Sequence, residues 1–140
     1  MKKQNVKESL WPKIESITVD SPIRILKEQA DLFNEQMKGL LWCTLKRVQK
    51  SDTILDRSYD YIAELIITSP ALPGFRLELV ETKYLVAEAY PCEVINCIVE
   101  KYQKSRKKAE NAKDFKNILK STLNSPQIIS ALQNMLAQDI

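Results

Sequence analysis

Apolar positions along this chain follow two periods, one near 3.6 residues towards both ends and one of two in the middle third. Leu26, Ala30, Phe33 and Met37 recur at i, i+4, i+7 and i+11. Ile25 and Leu32 widen that stripe, while Lys27, Glu28, Asp31, Glu35 and Lys38 fall on the wet side. Ser21-Pro22 opens the segment with a capping residue and a proline at the first helical position, and Gly39 is placed to close it in a left-handed conformation. The pattern predicts a helix over 22–38.

Period two takes over at Leu40. Leu41, Cys43 and Leu45 alternate with Trp42, Thr44 and Lys46, which predicts a strand over 40–49, followed by a polar loop over 50–56. Two further β-rich runs flank Leu72-Pro73-Gly74 as a hairpin, the proline presetting φ and the glycine taking a positive one. Strict alternation puts Tyr59, Tyr61, Ala63, Leu65 and Ile67 on one face of the first run, and Phe75, Leu77 and Leu79 on one face of the second. Asp60, Glu64, Arg76 and Glu78 face water, and Glu78 and Glu81 point to opposite faces. From Tyr84 to Tyr102 strand formers continue but are broken by Pro91, so one strand should stop near Ala89 and another start at Cys92. Residues 101–113 read as a basic connection. Asn111 and Asp114 stand at capping spacing before the stripe Phe115, Ile118, Leu119 and Leu123, and Ser125-Pro126 opens a last helix bearing Ile128, Ile129, Leu132, Met135 and Leu136.

Strands segregated from helices argue for an α+β fold: an N-terminal helix, an antiparallel meander of four or five strands and two short C-terminal helices. The expected organisation is a polar arm over 1–19 and a single domain over 20–140. In the arm, Leu10, Trp11 and Ile14 form an apolar patch, with a short turn docking Trp11 on the core.

Composition narrows the chemistry more than it directs it. The chain has 140 residues, 44% hydrophobic and 28% charged, as in ordinary globular domains, and no apolar run approaches the roughly 20 residues of a membrane helix. A cytoplasmic location without a membrane partner is expected. Histidine is absent, which removes the commonest acid/base catalyst and any Ser/His or Cys/His nucleophile pair. Cys43, Cys92 and Cys97 lie in β-like runs without C-x-x-C spacing and read as buried reduced thiols. Two separated glycines build no phosphate-cradling loop.

Two constellations could carry chemistry. Asp60 on one β-run and Glu81-Thr82-Lys83 on the next resemble the Asp…Glu-x-Lys pattern of restriction-endonuclease-like nucleases. The resemblance implies Mg²⁺ held by Asp60 and Glu81, with Lys83 activating a water. The chain departs from that family in carrying Ser58-Tyr59 where a proline usually precedes the aspartate, and strand formers where a crossover helix follows the lysine. The plain alternative is an ion pair at a sheet margin. The second constellation is Lys101, Lys104, Arg106, Lys107, Lys108 and Lys113 against the single acid Glu110, a local +5 in a chain whose total is only +3. It could contact phosphates or an acidic protein. Tyr102 is its only aromatic, so no stacking platform for single strands accompanies it.

The segment Ser21-Pro22-Ile23-Arg24-Ile25-Leu26-Lys27-Glu28-Gln29-Ala30 resembles the N-terminal helix of small uncharacterised bacterial proteins of similar length. That implies a bacterial origin and no activity. The expectation is therefore a non-catalytic binding protein without a cofactor, its partner another protein, with a homodimer through an edge strand as one form. The metal-dependent nuclease and nucleic-acid binding through 101–113 stand as alternatives.

Overall fold

The computed structural model describes residues 7–14, 20–49, 59–99 and 105–139. The first helical stripe folds as α1 (Pro22–Met37), with Ile25, Leu26 and Ala30 buried and Phe33 and Met37 packed beside them. Leu32 does not join them; it is half exposed. The left-handed closure spans two residues instead of one, since Lys38 (φ 49°) precedes Gly39 (φ 87°) in that conformation.

Five strands follow: β1 (Trp42–Gln49), β2 (Tyr61–Thr68), β3 (Leu77–Tyr84), β4 (Cys92–Asn96) and β5 (Ser105–Ala109). They form one antiparallel meander in chain order, so β1 and β5 are its edges. Pro73 and Gly74 (φ 80°) occupy the centre of a type II turn closed by the Phe75 amide donating to the Leu72 carbonyl at 3.1 Å. The chain ends in α2 (Ala112–Leu123) and α3 (Pro126–Leu136). Asn111 caps α2 by accepting from the Asp114 amide at 2.8 Å, and Ser125 caps α3 by accepting from the Ile128 amide at 3.4 Å. Phe115, Leu119, Ile128 and Met135 meet the α1 stripe and the inner sheet face in one core. The α+β architecture is the expected one.

Three expectations about the strands fail. β5 lies in the stretch read as a connection. Only Ala109 of its described side chains is buried, so hydrophobic periodicity carried no trace of it. β3 stops at Tyr84 instead of continuing to Ala89, because Asp60 Oδ1 accepts the Val86 amide at 2.9 Å and pulls the backbone out of the ladder. The third failure is the register of the hairpin. Leu65 pairs with Val80 but Ile66 pairs with Glu78, so β3 carries Leu79 as an extra residue. Leu79 and Val80 are both buried, and beyond them Thr82 and Tyr84 point inward while Glu81 and Lys83 point outward. The bulge thereby brings Glu78 and Glu81 to the same outer face, where uninterrupted alternation would separate them. Before the bulge Leu77 stands opposite the buried Ile67 as expected, whereas Phe75 lies outside the strand and is half exposed.

Thr82 is fully buried opposite Ala63 and Val94, and its hydroxyl oxygen has no hydrogen-bond partner among the described residues. Ile66 and Ile95 are buried on the outer face, between Thr44 and Glu78 and between Glu81 and Arg106 in the register. Cys43 and Cys92 are buried as expected, and burial pushes both thiols up to about 12. Cys97 is only partly buried. Trp11 is not docked on the core: residues 7–14 have no regular structure, and Leu10, Trp11 and Ile14 are 92%, 79% and 77% exposed.

Candidate functional site

The outer face of the sheet carries the residues of the nuclease-like pattern, but it does not gather them. Glu81 stands opposite Glu64, and Lys83 is flanked by Ile62 and Glu93. Asp60 precedes Glu64 by four residues on the same chain segment, on the order of 13 Å away at the usual strand rise. Its carboxylate is occupied by the Val86 amide. Among the described residues no group of three Asp, Glu or Cys side chains is placed to hold a metal ion. What assembles instead is a carboxylate cluster of Glu64, Glu78 and Glu81, tempered by Lys46 and Arg76. Partial burial, then the two neighbouring carboxylates, raise the Glu64 pKa above its ordinary 4.5.

A raised carboxyl pKa means that the folded chain holds this proton to higher pH than the unfolded chain does. Stability therefore falls as pH rises past the ordinary value. Glu64→Gln should stabilise the fold by about 0.5 kcal/mol near neutral pH and by nothing in acid, a small effect because the group is partly solvated. Thermal melting of both proteins at the two pH values measures it.

The basic run divides. Lys101 and Lys104 lie outside the described residues. Arg106 meets Glu93 at 3.2 Å on the outer face, Lys108 approaches Glu110 at 3.9 Å, and Lys107 and Lys113 are exposed. Two of these cations already face carboxylates, and all three strand cations lie on a sheet edge, where charge discourages pairing with another chain.

The other edge is built differently. Asn34, on α1, places its side-chain amide against the backbone of Cys43: Oδ1 accepts the Cys43 amide at 2.6 Å, and Nδ2 donates to the Cys43 carbonyl at 2.9 Å. In an antiparallel ladder the two backbone groups of one residue point the same way and those of the next point the opposite way. Cys43 thus points away from β2, and so do Leu45 and Arg47, while Thr44, Lys46 and Val48 bond to β2. A cleft of about 770 Å³ opens along this line between α1 and β1. Both Trp42 and Thr44 from the outer parity and Cys43, Leu45 and Arg47 from the inner parity line it, so it follows the strand's edge and not one of its faces. Its helical wall contributes the half-exposed Leu32.

This cleft escaped the sequence reading, although one signal was present. Asn34 falls four residues after Ala30, on the apolar stripe of α1, and an amide there needs a buried or edge partner.

Comparison with family models, with curated proteins and with solved structures found no match to this chain. The functional reading therefore rests on the cleft and on the outer edge of β1, which no other described strand pairs with. No helix among the described residues is long and apolar enough to cross a membrane.

Proposed function

We propose that this chain is a non-catalytic protein-binding module that takes an extended polypeptide segment along the open edge of β1. The observation that carries the reading is the conjunction of cleft and edge: a groove walled by α1 runs beside a strand whose Leu45 and Arg47 backbone groups point into it. Strand addition draws affinity from main-chain hydrogen bonds and selectivity from every second side chain. Asn34 supplies a preformed end stop, since its amide fills the place that a partner residue opposite Cys43 would take.

Arg47→Pro tests this directly. Proline removes an amide that points outward and leaves the bonds to β2 in place, which edge strands tolerate. Peptides selected from a random display library on the wild-type chain should show a preference at alternate positions and should lose binding to Arg47→Pro, while the variant still melts cooperatively. Selected peptides that bind the variant as well as the wild type would place the binding surface elsewhere.

A further inference from the structure

The same chain carries a segment suited to that edge. In residues 7–14, Lys-Glu-Ser-Leu-Trp-Pro-Lys-Ile, Leu10, Trp11 and Ile14 are almost fully exposed and contribute nothing to the core. We propose that the N-terminal arm of a second copy of this chain adds to β1, each copy lending its arm to the other in a closed dimer. This rests on the edge-binding reading above and names its occupant.

Three observations select the arm. The first is the parity of Pro12. Successive bonding residues of an added strand lie two apart, matching Leu45 and Arg47. If Trp11 and Lys13, or Ser9 and Trp11, are the bonding pair, Pro12 falls on an alternate position, and its missing amide lies on the far side, where no partner waits. The Trp11 amide, which now donates to Ser9 Oγ at 3.3 Å, turns to β1 instead. Residues opposite one another in a ladder share a face, so Trp11 then lies beside Leu45 or Arg47; against Arg47 it gains a cation–π contact.

The second observation is charge. On the helical wall Lys27 is paired with Asp31 at 2.8 Å and Asp20 with Lys116 at 3.3 Å. Glu28 and Glu35 remain against Arg24, which leaves the helical wall one charge negative across from Arg47 of β1, and the arm brings Lys7 and Lys13 against Glu8, one charge positive. The third observation disfavours β1 itself as the second copy's contribution. A two-fold axis through Lys46 or Arg47 sets that cation against its own copy, a like-charge pair that destabilises a ladder, and one through Val48 leaves only Arg47 and Gln49 of β1 as bonding residues. An axis through Thr44 or Leu45 draws Cys43 into the ladder, where Asn34 already holds it. The arm meets neither obstacle.

Sedimentation of the full chain across a concentration series should show a monomer–dimer equilibrium. Trp11→Ala and Arg47→Pro should each weaken it roughly tenfold or more, as loss of a central aromatic anchor or of an edge bond does elsewhere. A synthetic peptide of residues 7–14 should return the dimer to monomers. A chain monomeric up to hundreds of micromolar, or a dimer indifferent to both substitutions, would overturn the exchange. So would a monomer in which the Trp11 indole is shielded from collisional quenchers, because the arm would then fold onto its own β1. Library peptides that still depend on Arg47 in any of these cases would leave the edge-binding function standing without the dimer.

Discussion

Phe115→Ala should cost about 3–5 kcal/mol of stability, the usual range for deleting a fully buried phenylalanine ring. That is a large share of the roughly 5–15 kcal/mol by which domains of this size are stable, and it corresponds to a drop of about 10–20 °C in melting temperature. The position explains why the upper half of the range is expected. Phe115 lies in the first turns of α2 with its ring 6.3 Å from that of Tyr90, in the connection between β3 and β4. The Tyr90 hydroxyl donates to the Asp20 carbonyl at 2.7 Å, and Lys116 reaches the Asp20 carboxylate at 3.3 Å. One side chain thus props the place where α2, the approach to β4 and the start of α1 converge, and the cavity it leaves is bounded by three segments that cannot all relax inward. Phe115→Leu should lose far less. Equal losses for the two substitutions, measured by denaturant unfolding with unchanged slope, would show that ring volume is not what matters there.

Asn34→Ala should lower stability by about 1–3 kcal/mol while increasing self-association. Both backbone groups of Cys43 lose their partner in one step, and they lie in a partly buried cleft where water replaces the amide imperfectly. Removing the amide also lengthens the open edge by one bonding residue. Two-fold pairing of β1 on β1 about Thr44 or Leu45 then no longer competes with Asn34. Asn34→Asp separates the two contributions: its carboxylate can still accept from the Cys43 amide but repels the carbonyl. Sedimentation beside thermal melting measures both effects, and a destabilised variant with unaltered association would remove the end-stop role from Asn34.

Where the sequence succeeded, periodic burial and local capping agreed. The stripes of α2 and α3 each follow a residue whose side chain caps the helix, and α1 follows Ser21-Pro22 although the Ser21 side chain makes no cap bond. All three lead into one core, and β1 alternates from Trp42 to Lys46 because only one of its faces meets α1. Where it failed, the deciding interaction was not local. β5 exists because β4 offers it a ladder, and its row of cations gives no hydrophobic signal. The separation of Asp60 from Glu81 depends on register between strands, which a one-strand reading does not contain. Likewise the cleft depends on an asparagine whose partner is nine residues away across a turn.

The added residue at Leu79 has a consequence for how this chain tolerates change in length. The partners of Glu78 and Val80, Ile66 and Leu65, are adjacent in β2, so Leu79 stands outside the ladder and Val80 to Tyr84 take their inside or outside address from β2. Deletion of Leu79 would join Glu78 to Val80 in an uninterrupted ladder, leaving Glu81 and Lys83 on the outer face and Tyr84 on the inner one, and would remove only one buried side chain and the local bend. Natural length variation in this strand should therefore fall at Leu79, where one residue can be lost without moving its neighbours across the sheet, whereas a residue inserted elsewhere in β3 turns over the stretch beyond it.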